Sequence, residues 1–448
     1  AGAAGGGGGG GDPTQFLKLV RAEREGFLTV TVHPPERVRE ARDPATGAYA
    51  ERWELDLGVF LKTLGAPKWS AGRGSSRSGG RGERERLWAK EREAVLEEAL
   101  VGQLLPRLED ELRAELLTKA REAVVAAAAG ALAARVAQGP FRREGVDRET
   151  ALLTPQLEVK AVGLACTDAF GQANSAFAVS LYPNGTLQDI YTFPERDNEE
   201  TKDKLRRFLL DSKPDVIVVN TSGGMRSRQM GRMMYRYLQE AIQLNKENEY
   251  YNDEEDRWEC KILHQRDDVA LVYAASVRGR QEFPEQPELV RQAVSLARGA
   301  QGPLQEVCAA WGAMDERGRC GRELLYLPLH PLQGLVAPAR LLRAYEQALV
   351  SATAEVGVDL AAACEHAHLA GPLCFVGGLG ARKAAALRAA VQRVLRGQVE
   401  TRRQLLDARL MGPLVYTNCA GFLRIADRGY DAPTSSGRGG GGGGGGDV

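Results

Sequence analysis

The 448-residue sequence lacks the features that mark several large classes of proteins. No apolar run approaches the length that crosses a bilayer, and no charged-then-apolar signal opens the chain, so we expect a protein that acts without a membrane. Lys and Arg together number 59, as do Asp and Glu, and any nucleic-acid contact must therefore come from a local basic patch. The seven cysteines include no Cys-x-x-Cys pair, which favours free thiols in a reducing compartment.

Grouped metal ligands are also scarce. The nearest approach to such a group is Cys364, His366, His368 and Cys374. Its spacing matches no common zinc pattern, and the segment is typical of a helix end. No Cys–His catalytic pair is evident either. We therefore predict that the protein has no metal site, no cofactor and no catalytic residue.

Glycine-rich stretches separate the segments that can fold. Residues 1–13 and 426–448 are predicted to be disordered, and so is an insert of Gly, Ser and Arg at residues 71–82. The insert interrupts an N-terminal helical region at residues 14–150, in which Pro106 is expected to kink or divide the helices. Since the sequence does not begin with methionine, it suggests a fragment of a longer product.

Residues 159–265 change from helical periodicity to alternating strands and helices. The predicted order is three strands (160–167, 176–182 and 186–193), a helix (198–211), a strand (215–220), a helix (225–244) and a strand (261–264). The turn at residues 183–185 joins the second and third strands as a hairpin. Three meandering strands followed by this alternation are the order of an RNase H-like domain, and residues 266–370 are predicted to be helical again.

Enzymes with this fold hydrolyse phosphodiesters with metal ions that carboxylates hold. One ligand normally lies in the first strand, where this chain has Leu164, Ala165 and Cys166, and another ends the fourth strand, where Asn220 and Thr221 are neutral. The acids that follow the fifth strand, at positions 267 and 268, are more typical of a helix start. We predict a binding or scaffolding domain without nuclease activity. The alternative is a metal-dependent, structure-specific nuclease or resolvase-like enzyme.

Two glycine-bearing turns at residues 371–425 are typical of a tandem helix-hairpin-helix. In the first, Gly378 and Gly380 allow a tight turn and leave no side chain between the backbone N–H groups and an anion. The helix that follows adds unpaired N–H donors and a partial positive charge. The predicted DNA-binding residues are Gly378, Leu379, Gly380, Arg382, Lys383 and Gly412.

Other interpretations of the first turn fit less well. A dinucleotide fingerprint needs a third glycine where Lys383 stands, and a phosphate-binding P-loop needs a Gly-Lys-Ser/Thr sequence that is missing. A simple packing corner between helices, with glycine as a C-cap, stays open. Local charge favours anion binding, because residues 376–428 hold ten Lys and Arg against three acids, a net charge of +7.

Six segments, in this order, resemble the core of the Spt6 (suppressor of Ty 6) family of eukaryotic transcription elongation factors, relatives of the bacterial Tex proteins. They are residues 285–298, 330–333, 355–359, 375–383, 411–413 and 418–425. The likeness spans about residues 159–425. It implies a multidomain α protein with one α/β domain: a helical Tex-like core, an RNase H-like domain of the YqgF type and tandem helix-hairpin-helix motifs.

The resemblance also implies a function. In that family the YqgF-type domain lacks its catalytic acids, in keeping with Ala165 and Asn220 here, and the hairpins bind DNA without sequence preference. The expected partners are DNA, the RNA polymerase II elongation complex and, for the full-length protein, nucleosomes or histones, all in the nucleus. The chain departs from the family in three ways. Glycine replaces the acidic N-terminal region, S1 and SH2 domains do not follow residue 425, and Leu414 stands where relatives often carry a basic residue.

Overall fold

A computed structural model of the chain describes residues 12–30, 37–42, 49–54, 81–143, 159–168, 175–194, 199–248, 258–312 and 322–425. The segments predicted to be disordered lie outside these residues, except for positions 12–13 and 81–82. The chain divides into two compact units, residues 1–127 with 332–337, and residues 128–331 with 338–448. Within the part of the chain that is described, no helix has both the length and the apolar character needed to cross a membrane.

The first unit is mainly helical. Its elements are α1 (Thr14–Arg24), β1 (Arg37–Arg42), β2 (Tyr49–Glu54), α2 (Arg81–Ala99), a π-helical turn (Leu100–Leu104), the start of α3 (Leu105–Ala137) and a 3₁₀ turn (Gln333–Leu335). The antiparallel pair of β1 and β2 was not anticipated in a region predicted to be helical. The π turn lies directly before Pro106, which has no N–H for the helix, so the expected disruption takes this form.

A five-stranded sheet forms the centre of the second unit. Its strands are β3 (Ala161–Cys166), β4 (Ala176–Leu181), β5 (Leu187–Thr192), β6 (Val216–Asn220) and β7 (Lys261–Gln265). They lie in the order β5-β4-β3-β6-β7, with the first three antiparallel and the last three parallel. This confirms the RNase H-like arrangement predicted from the order of the strands.

Both faces of the sheet are covered, because alternate side chains of each strand point to opposite faces. Val162, Leu164 and Cys166 pack with α4 (Glu199–Ser212) and α5 (Gly224–Asn248). Ala161 and Ala165 pack on the other face with α8 (Glu288–Gln301).

Gly163, in the middle of β3, lets α8 approach the sheet at backbone distance. A Cβ atom at this position would lie 1.9 Å from the carbonyl oxygen of Ala293 in that helix. Any side chain here would therefore force the helix away from the sheet.

Short helices connect the sheet to the C-terminal part of the chain. They are α6 (Asp268–Ala275), α7 (Val277–Glu282), α8, α9 (Pro303–Ala309), a 3₁₀ turn (Glu323–Tyr326), α10 (Pro338–Val356), α11 (Leu360–Glu365) and 3₁₀ turns at Ala367–Leu369 and Gly371–Phe375. The helix that begins at Asp268 confirms that the acids after the fifth strand mark a helix start.

Two helical hairpins complete the second unit. The first leads from Gly371–Phe375 into α12 (Gly380–Leu395), and the second leads from α13 (Gln404–Asp407) into α14 (Pro413–Cys419) and a 3₁₀ turn (Ala420–Phe422). A short parallel pair, β8 (Val358–Asp359) and β9 (Leu423–Arg424), joins the end of the second hairpin to the segment before the first. All of these elements share one apolar core.

Candidate nucleic-acid interface

The first hairpin turn needs its glycines for two separate reasons. Gly378 and Gly380 have φ values of +84° and +69°, which side chains rarely tolerate. A Cβ atom on Gly378 would also lie 2.9 Å from the Cβ atom of Asn418 in α14. The turn is thus fixed both by its own backbone and by contact with the second hairpin.

The backbone N–H groups of this turn divide into two kinds. Leu379 donates its N–H to the carbonyl oxygen of Val376 at 3.0 Å, and its side chain is buried, so it stabilises the hairpin rather than facing an anion. Within the described residues, the N–H groups of Gly378, Gly380 and Ala381 donate to no carbonyl of the chain. No side chain caps the start of α12. The turn therefore presents unpaired donors at the positive end of a 16-residue helix.

Arg382 and Lys383 are both exposed beside these donors. Lys383 Nζ donates to the carbonyl oxygen of Gly378 at 3.0 Å, so it must give up this bond to reach a ligand. Arg382 has no hydrogen bond or ion pair to any described residue. The guanidinium group is therefore the more available of the two cations, and its fork of donors suits a phosphate group.

The second hairpin offers less to an anion. Gly412 precedes α14, a helix of seven residues whose first position is Pro413, which has no N–H group. The carbonyl oxygen of Gly412 accepts the N–H of Tyr416 at 3.0 Å. Leu414 is 75% exposed at the tip, where a basic residue would favour phosphate. The assignment of Gly412 to DNA binding stays a prediction.

Some of the basic residues around the hairpins have partners within the protein, and most are exposed. Arg388 Nε lies 3.5 Å from the carbonyl oxygen of Cys364, and Arg403 Nε lies 4.0 Å from Asp407. The exposed remainder, among the residues described, are Arg382, Lys383, Arg393, Arg396, Arg402 and Arg409. The excess of basic charge that the sequence shows is therefore mostly available at the surface.

The corner of the sheet where an RNase H-like enzyme would hold metal is neutral and paired internally. Asn220 is fully buried at the end of β6. Its Oδ1 accepts the N–H of Cys166 at 3.1 Å and the hydroxyl of Ser227 at 3.2 Å, and its Nδ2 donates to the carbonyl oxygen of Cys166 at 2.9 Å. Burial raises the pKa of the Cys166 thiol, so this group is not a ready metal ligand.

The two acids that follow β7 are held by neighbouring groups. Asp267 is buried and accepts bonds from the N–H of Ser222 at 3.2 Å and from Gln292 Nε2 at 2.6 Å. Asp268 pairs with Arg135 and with Arg266. No cluster of three or more His, Cys, Asp or Glu side chains suited to a metal ion occurs among the described residues.

Asp168 was missed by the sequence reasoning. It lies against Gly224, whose hypothetical Cβ atom would be 2.9 Å from Asp168 Oδ1. The sequence does show this acid two residues after β3, whereas the ligand position expected for the fold lies within the strand. Among the described residues, Asp168 and the buried Asp267 do not by themselves make the clamp of oxygen ligands that two metal ions require.

Two family models match the chain in these regions. One, described as "Holliday-junction resolvase-like of SPT6", matches residues 157–310. The other, described as a helix-hairpin-helix motif, matches residues 322–426. The matches cover the sheet with its flanking helices and the region that contains both hairpins.

Curated relatives match across most of the chain. A transcription elongation factor SPT6-like protein of Arabidopsis thaliana is 28% identical over 95% of this chain and 29% of its own length. The transcription elongation factor SPT6 of Candida albicans is 28% identical over 76% of this chain and 23% of its own length. The transcription elongation factor SPT6 of Drosophila melanogaster is 26% identical over 92% of this chain and 21% of its own length. The chain thus spans less than a third of these relatives. The chain is similar to SPT6 proteins over most of its length, and it contains a YqgF-type, RNase H-like domain and a helix-hairpin-helix domain.

Proposed function

We propose that this polypeptide is a non-enzymatic core of a nuclear transcription elongation factor that acts with RNA polymerase II on chromatin. It binds DNA without sequence preference through the first hairpin, and the full-length protein has nucleosomes or histones as further partners. The names of the relatives support the role in elongation. The observation that carries DNA binding is the row of unpaired N–H donors at Gly378, Gly380 and Ala381, with Arg382 beside it.

This geometry suits the phosphate backbone rather than the bases. Backbone N–H groups and a helix N-terminus bind an anion irrespective of base sequence, and Arg382 adds a charge-assisted bond to the same group. Binding through so few phosphates should be weak and should fall with rising salt, because each neutralised phosphate releases a counterion.

The experiment compares DNA binding of the chain with its variants by fluorescence anisotropy at several salt concentrations. Replacing Arg382 and Lys383 together by Glu should lower affinity and flatten the slope of log K against log salt by about two. Among single changes, Arg382→Ala should weaken binding more than Lys383→Ala, because Lys383 already bonds Gly378.

Arg393→Ala is the matched control. This exposed arginine lies on the same helix as Arg382, about 16 Å from it along the helix axis. It should leave the affinity close to that of the parent chain. A salt slope that the double variant leaves unchanged would remove the first hairpin from the DNA interface.

We propose further that the RNase H-like domain binds or supports other molecules and does not cut nucleic acid. The neutral Asn220 corner supports this, as do Asp267, which is held by Ser222 and Gln292, and Asp268, which is held by Arg135. Incubation of DNA and RNA substrates, including four-way junctions, with the protein and Mg²⁺ or Mn²⁺ should give no cleavage. Cleavage that Asp268→Asn abolishes would favour the resolvase-like alternative.

A further inference from the structure

A groove of about 930 Å³ runs along the outer face of α5, beside the edge strand β7. Met230, Met233 and Ile262 supply apolar lining, and arginines from successive turns of the helix form its rim. Neither the hairpins nor the polar corner of the sheet contributes to this groove.

Three rim arginines have no partner within the described part of the chain. Arg228, Arg232 and Arg236 are exposed and recur every four residues, so they lie on one face of α5 over about 12 Å. By contrast, the half-buried Arg206 on α4 pairs with both Asp203 and Glu240. A row of like charges along one helix face destabilises the helix slightly unless an anionic ligand neutralises it.

The same face carries large exposed apolar groups. Met225 is 72% exposed and Tyr235 is 56% exposed, and both lie on the arginine side of the helix. Surfaces that bind other proteins are enriched in Met, Tyr and Arg and depleted in Lys, Glu and Asp, which is the composition of this lining. Flexible methionine side chains also adapt to apolar groups of different shapes.

We propose that this groove binds an acidic peptide segment of a partner protein. Carboxylates spaced one helical turn apart pair with Arg228, Arg232 and Arg236, while apolar side chains between them fill the floor formed by the methionines and Ile262. The lining favours a peptide over single-stranded nucleic acid. Base stacking needs a series of aromatic side chains, and the described lining of this groove supplies only Tyr235 and the imidazole of His264 beside an aliphatic floor.

The test uses the full chain and a fluorescein-labelled, 14-residue peptide in which Glu recurs at three- and four-residue spacing with Leu and Phe between. Anisotropy should detect salt-sensitive binding, and Arg228→Glu with Arg232→Glu should weaken it by about tenfold or more. Arg207→Glu is the matched control, because Arg207 is an exposed arginine on α4 of the same domain, outside the groove. It should leave the affinity unchanged.

Two further variants separate apolar recognition from plain charge attraction. Tyr235→Ala and Met225→Ala change exposed side chains and should also lower the affinity for the peptide. Replacing the Leu and Phe of the peptide by Ser should lower it as well. The double change of Arg382 and Lys383 should not affect it, so this proposal can succeed or fail independently of DNA binding.

Several results would overturn the proposal. Equal affinity for a peptide of scrambled sequence would show that binding does not depend on the spacing of the arginines. Equal weakening by Arg207→Glu would point to general charge attraction. No binding at millimolar peptide would exclude the site outright. Tighter binding of an oligothymidine than of the peptide would assign the groove to single-stranded nucleic acid instead, provided that Arg228→Glu with Arg232→Glu abolishes this binding.

Discussion

The polar groups at the Asn220 corner of the sheet and at the Gly378 turn differ in whether they are hydrogen-bonded within the protein. At the corner, the side chain of Asn220 bonds both backbone groups of Cys166 and the hydroxyl of Ser227, and it is sealed from solvent. At the turn, the N–H groups of Gly378 and Gly380 face solvent without an acceptor in the described chain. The polar groups of the corner are thus paired within the protein, whereas the N–H groups of the turn are left open to solvent.

This difference indicates where the chain can act. A buried polar group costs free energy unless it is bonded, and the neutral groups at the Asn220 corner meet this cost by pairing with one another. An exposed donor costs little while water satisfies it, and it can later exchange water for phosphate. The donors without an acceptor in the described chain therefore lie in the hairpin, whereas those of the Asn220 corner are paired.

The largest expected effect comes from breaking the paired corner. Asn220→Ala removes the partners of the Cys166 N–H and carbonyl groups, and it should lower the free energy of unfolding by about 4 kcal/mol, since each buried group left unpaired costs about 1–3 kcal/mol. Urea denaturation followed by fluorescence measures this change. The neighbouring Thr221→Ala is the control, because Thr221 is exposed and its bond to Asp267 is long, at 3.3 Å.

The outcome at Asn220 also separates the two regions. DNA affinity of the folded Asn220→Ala variant should equal that of the parent chain. A loss of less than about 0.5 kcal/mol would mean that the corner is not held by these bonds and that the contrast with the hairpin is unfounded.

A smaller effect is expected where the sheet meets the segment that leads to the hairpins. His368 lies in the 3₁₀ turn Ala367–Leu369, and its Nε2 is 2.8 Å from the carbonyl oxygen of Asn184 in the β4–β5 turn. Burial, with the nearby charge of Arg298, lowers the pKa of His368 to about 4, from an ordinary value of 6.5. The neutral ring is therefore the form that packs in the folded protein.

The sign of the pH dependence follows from this difference. Between pH 6.5 and pH 4 the unfolded chain binds a proton at His368 that the folded chain does not, so stability is complete above pH 6.5 and falls as the pH is lowered. The gap between the two pKa values corresponds to about 3 kcal/mol at most. Urea denaturation of the chain and of His368→Gln, from pH 7 to pH 4.5, should show a shallower decline for the variant. His264→Gln, at an exposed histidine, should decline like the parent, and equal slopes for all three would contradict the assignment.

Much of this fold could be predicted from sequence because its signals are local. The three early strands and the buried strand at Val216–Asn220 show apolar patterns and a Pro-Asn-Gly turn, and the hairpins show paired glycines. The strands β1 and β2 gave no such signal. They are rich in Arg, Glu and Ala, which are common in helices, and the pairing of the two strands joins residues that the sequence pattern does not connect.

The individual contacts could not be predicted, because they depend either on how a turn closes or on residues far apart in sequence. That Leu379 uses its N–H within the turn, and that Lys383 bonds Gly378, follow from the way the turn closes. The role of Gly163 depends on Ala293, which lies 130 positions further along the chain. The predictions that Gly378, Leu379, Gly380, Arg382, Lys383 and Gly412 bind DNA still await measurement.

The smallest expected effect concerns the contrast between the two hairpins themselves. Leu414 is exposed at the tip of the second hairpin, on a helix whose first residue, Pro413, contributes no N–H donor. Leu414→Arg should add one phosphate contact, raise DNA affinity about two- to fivefold and steepen the salt slope by about one. Leu414→Gln removes the same apolar group without adding charge and should leave the slope unchanged. If Leu414→Arg gains no more than Leu414→Gln, the second hairpin does not face the DNA, and the first hairpin binds alone.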